Sequence, residues 1–104
     1  MATKLACGST EAGNTNWKQV ANAEIFVEVD TSAAGLSQPP TYITSLGGIT
    51  DHWMATGIET IINPTKDSFG IALRAYQITP ELANQRQWHV NWAASTDASV
   101  LQLP

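Results

Sequence analysis

The chain has 104 residues and a net charge of −4, with 13% charged and 43% hydrophobic residues. That length suits one domain with a single core, and so little charge beside four Trp excludes a disordered chain. The cations Lys4, Lys18, Lys66, Arg74 and Arg86 are scattered, which excludes a phosphate-backbone footprint and hence a nucleic-acid partner.

No apolar run approaches the roughly 18 residues of a membrane span, so no transmembrane segment is expected. The start lacks a charged stretch followed by an apolar one. The chain therefore reads as cytoplasmic, or as secreted or cell-surface with its leader replaced by Met1. Cys7 is the single cysteine, which rules out an intrachain disulfide and a multi-Cys zinc site.

Met1–Gly8 is mildly apolar and predicts a first edge strand. Ser9–Asn16 is small, polar and turn-rich and reads as a loop, with Trp17 isolated after it. Glu24–Thr31 alternates: Ile25, Val27 and Val29 face one side, Phe26, Glu28 and Asp30 the other, as in a half-buried strand. Ser32–Pro40 is a loop, because Pro39–Pro40 cannot donate to a ladder.

Thr41–Leu46 predicts a strand ended by Gly47–Gly48, read as a tight turn requiring positive φ. Asp51–His52–Trp53 falls on a loop or strand start after it. Thr56–Ile62 is β-prone, and Asn63–Asp67 carries strong turn chemistry. Ser68–Tyr76 alternates, with Phe69, Ile71, Leu73 and Ala75 on one face.

Thr79 and Pro80 form an N-cap and N1 pair for a helical turn within Thr79–Asn84. Trp88–Ala94 alternates again, with Trp88, Val90, Trp92 and Ala94 on one side. Each Trp can bury ~150–250 Å², an upper-bound gain of roughly 4–6 kcal/mol, so this strand anchors the core. The expected domain is residues 1–95, followed by a C-terminal tail, 96–104. Five or six short strands without a long helix predict an all-β antiparallel sandwich or barrel.

The chemistry-bearing residues are few. Cys7 with His52 or His89 would make a thiol and a base, but no cysteine-protease signature surrounds Cys7, and a lone Cys usually serves as a small hydrophobe. No nucleophile-elbow, zincin or Walker pattern occurs, so no enzyme and no cofactor is expected. Asp51, His52 and His89 are too scattered for a readable metal site. One His per subunit around a three-fold axis would make a three-ligand set, whereas a hydrogen-bonded or solvent-facing His is the simpler reading.

A sugar offers an apolar C–H face and a rim of hydroxyls, so its site wants an aromatic platform and a few placed polar groups. Asp51, His52 and Trp53 suit that need, as do Tyr76, Gln77 and Arg86 at the ends of the late strands. Trp53 also suits a core position at a strand start, Tyr76 shares the less apolar face with Arg74, and Arg86 suits a solvated loop charge.

The order of elements resembles the H-type lectin domain, the family of snail agglutinins and the discoidin C-terminal domain. The resemblance spans roughly residues 4–95. It rests on Leu5-Ala6-Cys7-Gly8, Trp17, Pro39–Pro40, Thr44-Ser45-Leu46-Gly47-Gly48, the Pro64 turn into Ser68-Phe69, and Val90-Asn91-Trp92-Ala93-Ala94. It implies a six-stranded antiparallel β-sandwich, trimers or hexamers, and binding of galactose or N-acetylgalactosamine at subunit boundaries.

In the family's pattern Tyr76 takes an aromatic position, Gln77 a His position, and Arg86 falls near a Tyr of the final hairpin. Met54–Ile62 holds no counterpart of the family's sugar-contacting Arg, and Cys7 lacks the family's second Cys. The Gln77–Gln87 loop is longer, and Asp51, His52 and Trp53 would supply a relocated site. The expected function is multivalent, non-catalytic glycan binding. The alternative is an oligomeric structural or receptor-binding module whose aromatics pack an interface.

Overall fold

A computed structural model describes residues 5–50, 52, 60–75 and 77–97. Its elements, in order, are β1 (Leu5–Ser9), β2 (Lys18–Ala21), β3 (Glu24–Asp30), β4 (Thr41–Gly47), β5 (Thr60–Ile62), β6 (Ser68–Arg74), the short helix α1 (Pro80–Gln85) and β7 (His89–Ser95). The strands form two antiparallel sheets, one ordered β1-β7-β4 and the other β2-β3-β6-β5. The fold is therefore all-β, with seven strands among the described residues where six were expected. The expected N-terminal strand is described over Leu5–Ser9; residues 1–4 and the part of Thr56–Ile62 before Thr60 lie outside the described residues.

The two sheets share one core in a sandwich-like arrangement. Alternation supplies it: Ile25, Val27 and Val29 of β3 and Phe69, Ile71 and Leu73 of β6 are buried, as are Tyr42 and Leu46 of β4 and Val90 and Ala94 of β7. Trp88, 1% exposed, sits at the entry to β7 rather than inside it. The Tyr42 and Phe69 rings meet across the sheets with centroids 4.4 Å apart. The Tyr42 hydroxyl donates to the Thr65 carbonyl oxygen (2.7 Å) and pairs with the Thr31 hydroxyl (2.8 Å), so the polar end of this core ring is satisfied.

The Ser9–Asn16 loop is tied down. Asn84 of α1 accepts from the Thr15 amide and donates to the Thr15 carbonyl, both at 3.0 Å. Trp17 is buried and its indole donates to the Trp88 carbonyl at 3.2 Å. Helix α1 begins as its sequence predicts, with the Thr79 hydroxyl accepting from the Leu82 amide and Pro80 in its first turn.

The Gly47–Gly48 pair is not the positive-φ turn its sequence predicts. Gly47 closes β4, and neither Gly47 nor Gly48 has positive φ. What excludes a side chain is crowding. A Cβ at Gly47 would stand 2.6 Å from His89 Nε2, and one at Gly48 2.8 Å from Trp88 Cδ1. Positive φ occurs elsewhere, at Gly13 and Gly35 and at non-glycine residues including Ala23 (62°) between β2 and β3 and Asn63 (48°) after β5.

Candidate functional site

Both histidines come to the Gly47–Gly48 pair. On the outer side of the three-stranded sheet the His89 ring covers Gly47, and its Nδ1 lies 2.8 Å from the Gln87 carbonyl oxygen. Beyond the sheet, the chain from Gly48 to Thr50 is stitched to the entry of β7. The Ile49 amide donates to the Arg86 carbonyl (3.0 Å) and the Trp88 indole donates to the Thr50 carbonyl (2.8 Å). A Cβ at Gly48 would stand 3.1 Å from the Arg86 oxygen and 3.3 Å from the His52 Cβ. The absence of a side chain at Gly48 therefore lets the Arg86 carbonyl and the His52 Cβ each lie close to its backbone, and both side chains are half-buried.

Of the six expected site residues, this corner holds His52 and Arg86. Gln77 is exposed and belongs elsewhere, lining a shallow depression with Gln19, Asn22 and Thr79. It adopts positive φ (57°), so it serves as a turn residue after β6. Asp51, Trp53 and Tyr76 lie outside the described residues. Cys7 is exposed on β1 opposite Ala93. Three residues of β7, Val90, Asn91 and Trp92, lie between that position and His89, about 13 Å of strand. Among the described residues no group of three or more His, Cys, Asp or Glu could hold a metal, and no helix is long and apolar enough to cross a membrane.

The outer faces of the two sheets differ in charge. Along the three-stranded sheet, registered rows set Cys7 beside Ala93 and Ile43, and Ser9 beside Asn91 and Ser45. Ser9 donates to Asn91 Oδ1 at 2.8 Å, and Asn91 Nδ2 reaches the Ser45 hydroxyl at 3.4 Å. None of these strands carries Asp, Glu, Lys or Arg, while Leu5 and Ile43 are 53% and 51% exposed. The four-stranded sheet is charged instead: Arg74 binds Glu24 Oε1 through Nε (3.1 Å) and Nη2 (2.9 Å) across the β3–β6 register.

On that charged face lies an aromatic position whose surroundings the sequence did not reveal. The half-buried Phe26 ring leans over Gly70, and with Asn16, Lys18, Glu28, Asp30 and Ser68 it lines a cleft of about 380 Å³. Asp30 accepts from the Ser32 amide at 2.9 Å, and hydrogen bonds from the Ser32 side chain and backbone hold its carboxyl below the ordinary aspartate value of 3.8. Alternation placed Phe26, Glu28 and Asp30 on one side of β3; the glycine under the ring came from a different strand.

No protein-family model, curated protein or solved structure matches the chain.

Proposed function

We propose that the chain is a non-catalytic carbohydrate-binding protein of the H-type-lectin kind. It takes galactose or N-acetylgalactosamine and presents several sites at once as a homotrimer or hexamer. The observation that carries this reading is the double stitch of the Gly48–Thr50 segment onto Arg86 and Trp88. It ties the backbone of Arg86 to the segment that ends two residues before His52, and such pre-organisation is what a small polar ligand needs.

The uncharged outer face of β1, β7 and β4 supports the multivalent part. Copies of a chain with net charge −4 repel one another, and a face without ionic groups is where they approach at least cost. Joining weak sites raises avidity by ~10²–10⁴ where geometry allows simultaneous engagement. The same face also favours the second reading, an oligomeric structural or receptor-binding module in which Ile43 and Leu5 pack an interface and no glycan is bound.

Retention on immobilised galactose and N-acetylgalactosamine tests the proposal. The wild-type chain is expected to be retained and eluted by the free sugar. His52→Ala and Arg86→Ala are each expected to bind at least tenfold more weakly. Arg86→Ala keeps the carbonyl that holds the Ile49 amide, so its stitch survives. An unretained wild-type chain that is nonetheless oligomeric would transfer the assignment to the structural module.

A further inference from the structure

We propose a second saccharide site on the outer face of the four-stranded sheet, built on Phe26 and taking a neutral oligosaccharide. It lies on the other sheet from the His52–Arg86 corner and does not depend on that corner binding sugar.

The platform is set by a glycine. A Cβ at Gly70 would fall 2.5 Å from Phe26 Cε2 and 2.7 Å from its Cζ, so only glycine on β6 lets the ring lie down against the sheet. The negative π-face of such a ring meets the weakly positive C–H edge of a sugar.

The polar groups around it are placed by the register. Glu28 and Asp30 follow Phe26 on the same side of β3, opposite Gly70 and Ser68, while Lys18 pairs with Phe26 from β2. Asn16 stands between two anchored neighbours, since Thr15 is clamped by Asn84 and Trp17 is bonded to Trp88. The cleft is open because β2 stops pairing at Phe26, while β3 continues to Asp30 with no paired strand on that side among the described residues. A second depression runs around that uncovered end and shares Asn16, Glu28 and Asp30 with the first, which lengthens the site beyond a single sugar ring.

Charge selects the ligand class. The carboxylates of Glu28 and Asp30, with Glu11 in the second depression, repel an anion, Lys18 opposes a cation in the first, and an apolar ligand would strip water from these groups without replacing it. A neutral polyol has hydroxyls that donate to the carboxylates and accept from Lys18 and Asn16. The volume of about 380 Å³ falls in the lower part of the ~300–1,000 Å³ usual for small-molecule sites.

The test is an amide-resolved NMR titration of the full chain with neutral tetrasaccharides of the gluco-, manno-, xylo- and galacto-series. At least one series is expected to shift the amides of Lys18, Phe26, Glu28, Asp30 and Ser68. Phe26→Ala is expected to weaken that binding at least tenfold. Glu28→Gln, which keeps the shape, is expected to weaken it severalfold, and His52→Ala should leave it unchanged.

If no series moves these amides, or if the shifts persist in Phe26→Ala, the site is refuted. Shifts confined to the Gly48–His52 and Arg86 region would also refute it, while sustaining the first reading. Shifts produced by an extended peptide, and by no saccharide, would assign the uncovered end of β3 to strand addition instead.

Discussion

Phe26 and Gly70 act as one unit, because the ring occupies the space that any side chain at position 70 would require. Gly70→Ala therefore lifts the ring away from the sheet. The ring can swing toward solvent, and alanine suits a strand better than glycine, so the stability loss is expected to stay near or below ~1 kcal/mol. Saccharide binding on that face should fall at least tenfold. Chemical denaturation and a binding titration on the same variant separate the two effects.

Tyr42→Phe removes a hydroxyl that joins Thr31 to the Thr65 carbonyl. Thr31 is 1% exposed, so its hydroxyl is left in the core without this partner. The expected cost is ~1–3 kcal/mol, read as a lower urea midpoint at unchanged slope.

Ala23 turns the β2–β3 hairpin with φ of 62°, a conformation that costs a residue with a Cβ roughly 1–2 kcal/mol. Ala23→Gly is expected to stabilise the chain by about 0.5–1 kcal/mol after the extra chain entropy of glycine is counted. Its amide-exchange signature should be slower opening at the hairpin.

Much of the core was legible from alternation. Ile25, Val27 and Val29, and Phe69, Ile71 and Leu73, are buried on the faces their period-two spacing predicts. The α1 start was legible in Thr79–Pro80, because capping chemistry is local. Strand β2 was not, since every residue of Lys18–Ala21 is exposed and carries no periodic signal; it exists through pairing with β3. The role of Gly47 and Gly48 was misread for a similar reason. A positive φ can be guessed locally, whereas the approach of His89 and Trp88 depends on a strand distant in the chain. The same limit hid the glycine beneath Phe26 and the approach of His52 and Arg86 to Gly48.

Ser32 hydrogen-bonds Asp30 and keeps its carboxyl below 3.8. A folded-state value below the unfolded one favours the folded chain at pH above the unfolded value, and that contribution is lost as pH falls through the folded value. Ser32→Ala is expected to move the Asp30 titration upward toward 3.8. An NMR titration of the Asp30 carboxyl from pH 2 to pH 6 reads this directly.

Ile43→Glu places a charge on the β4 side of the uncharged outer face, beside Ala93 of the central strand β7. Ile43 points away from the core and is 51% exposed, so the protomer should keep its fold. Light scattering is expected to give an oligomer for the wild-type chain and a monomer for the variant, with glycan avidity falling as the sites separate.

A glycan array probed with the wild-type protein reads whether this chain binds carbohydrate at all. The expected result is selective, sugar-competable binding to galactose- or N-acetylgalactosamine-terminated glycans, together with signal on neutral oligosaccharide chains. A folded chain that leaves every glycan on the array at background would not be a carbohydrate-binding protein.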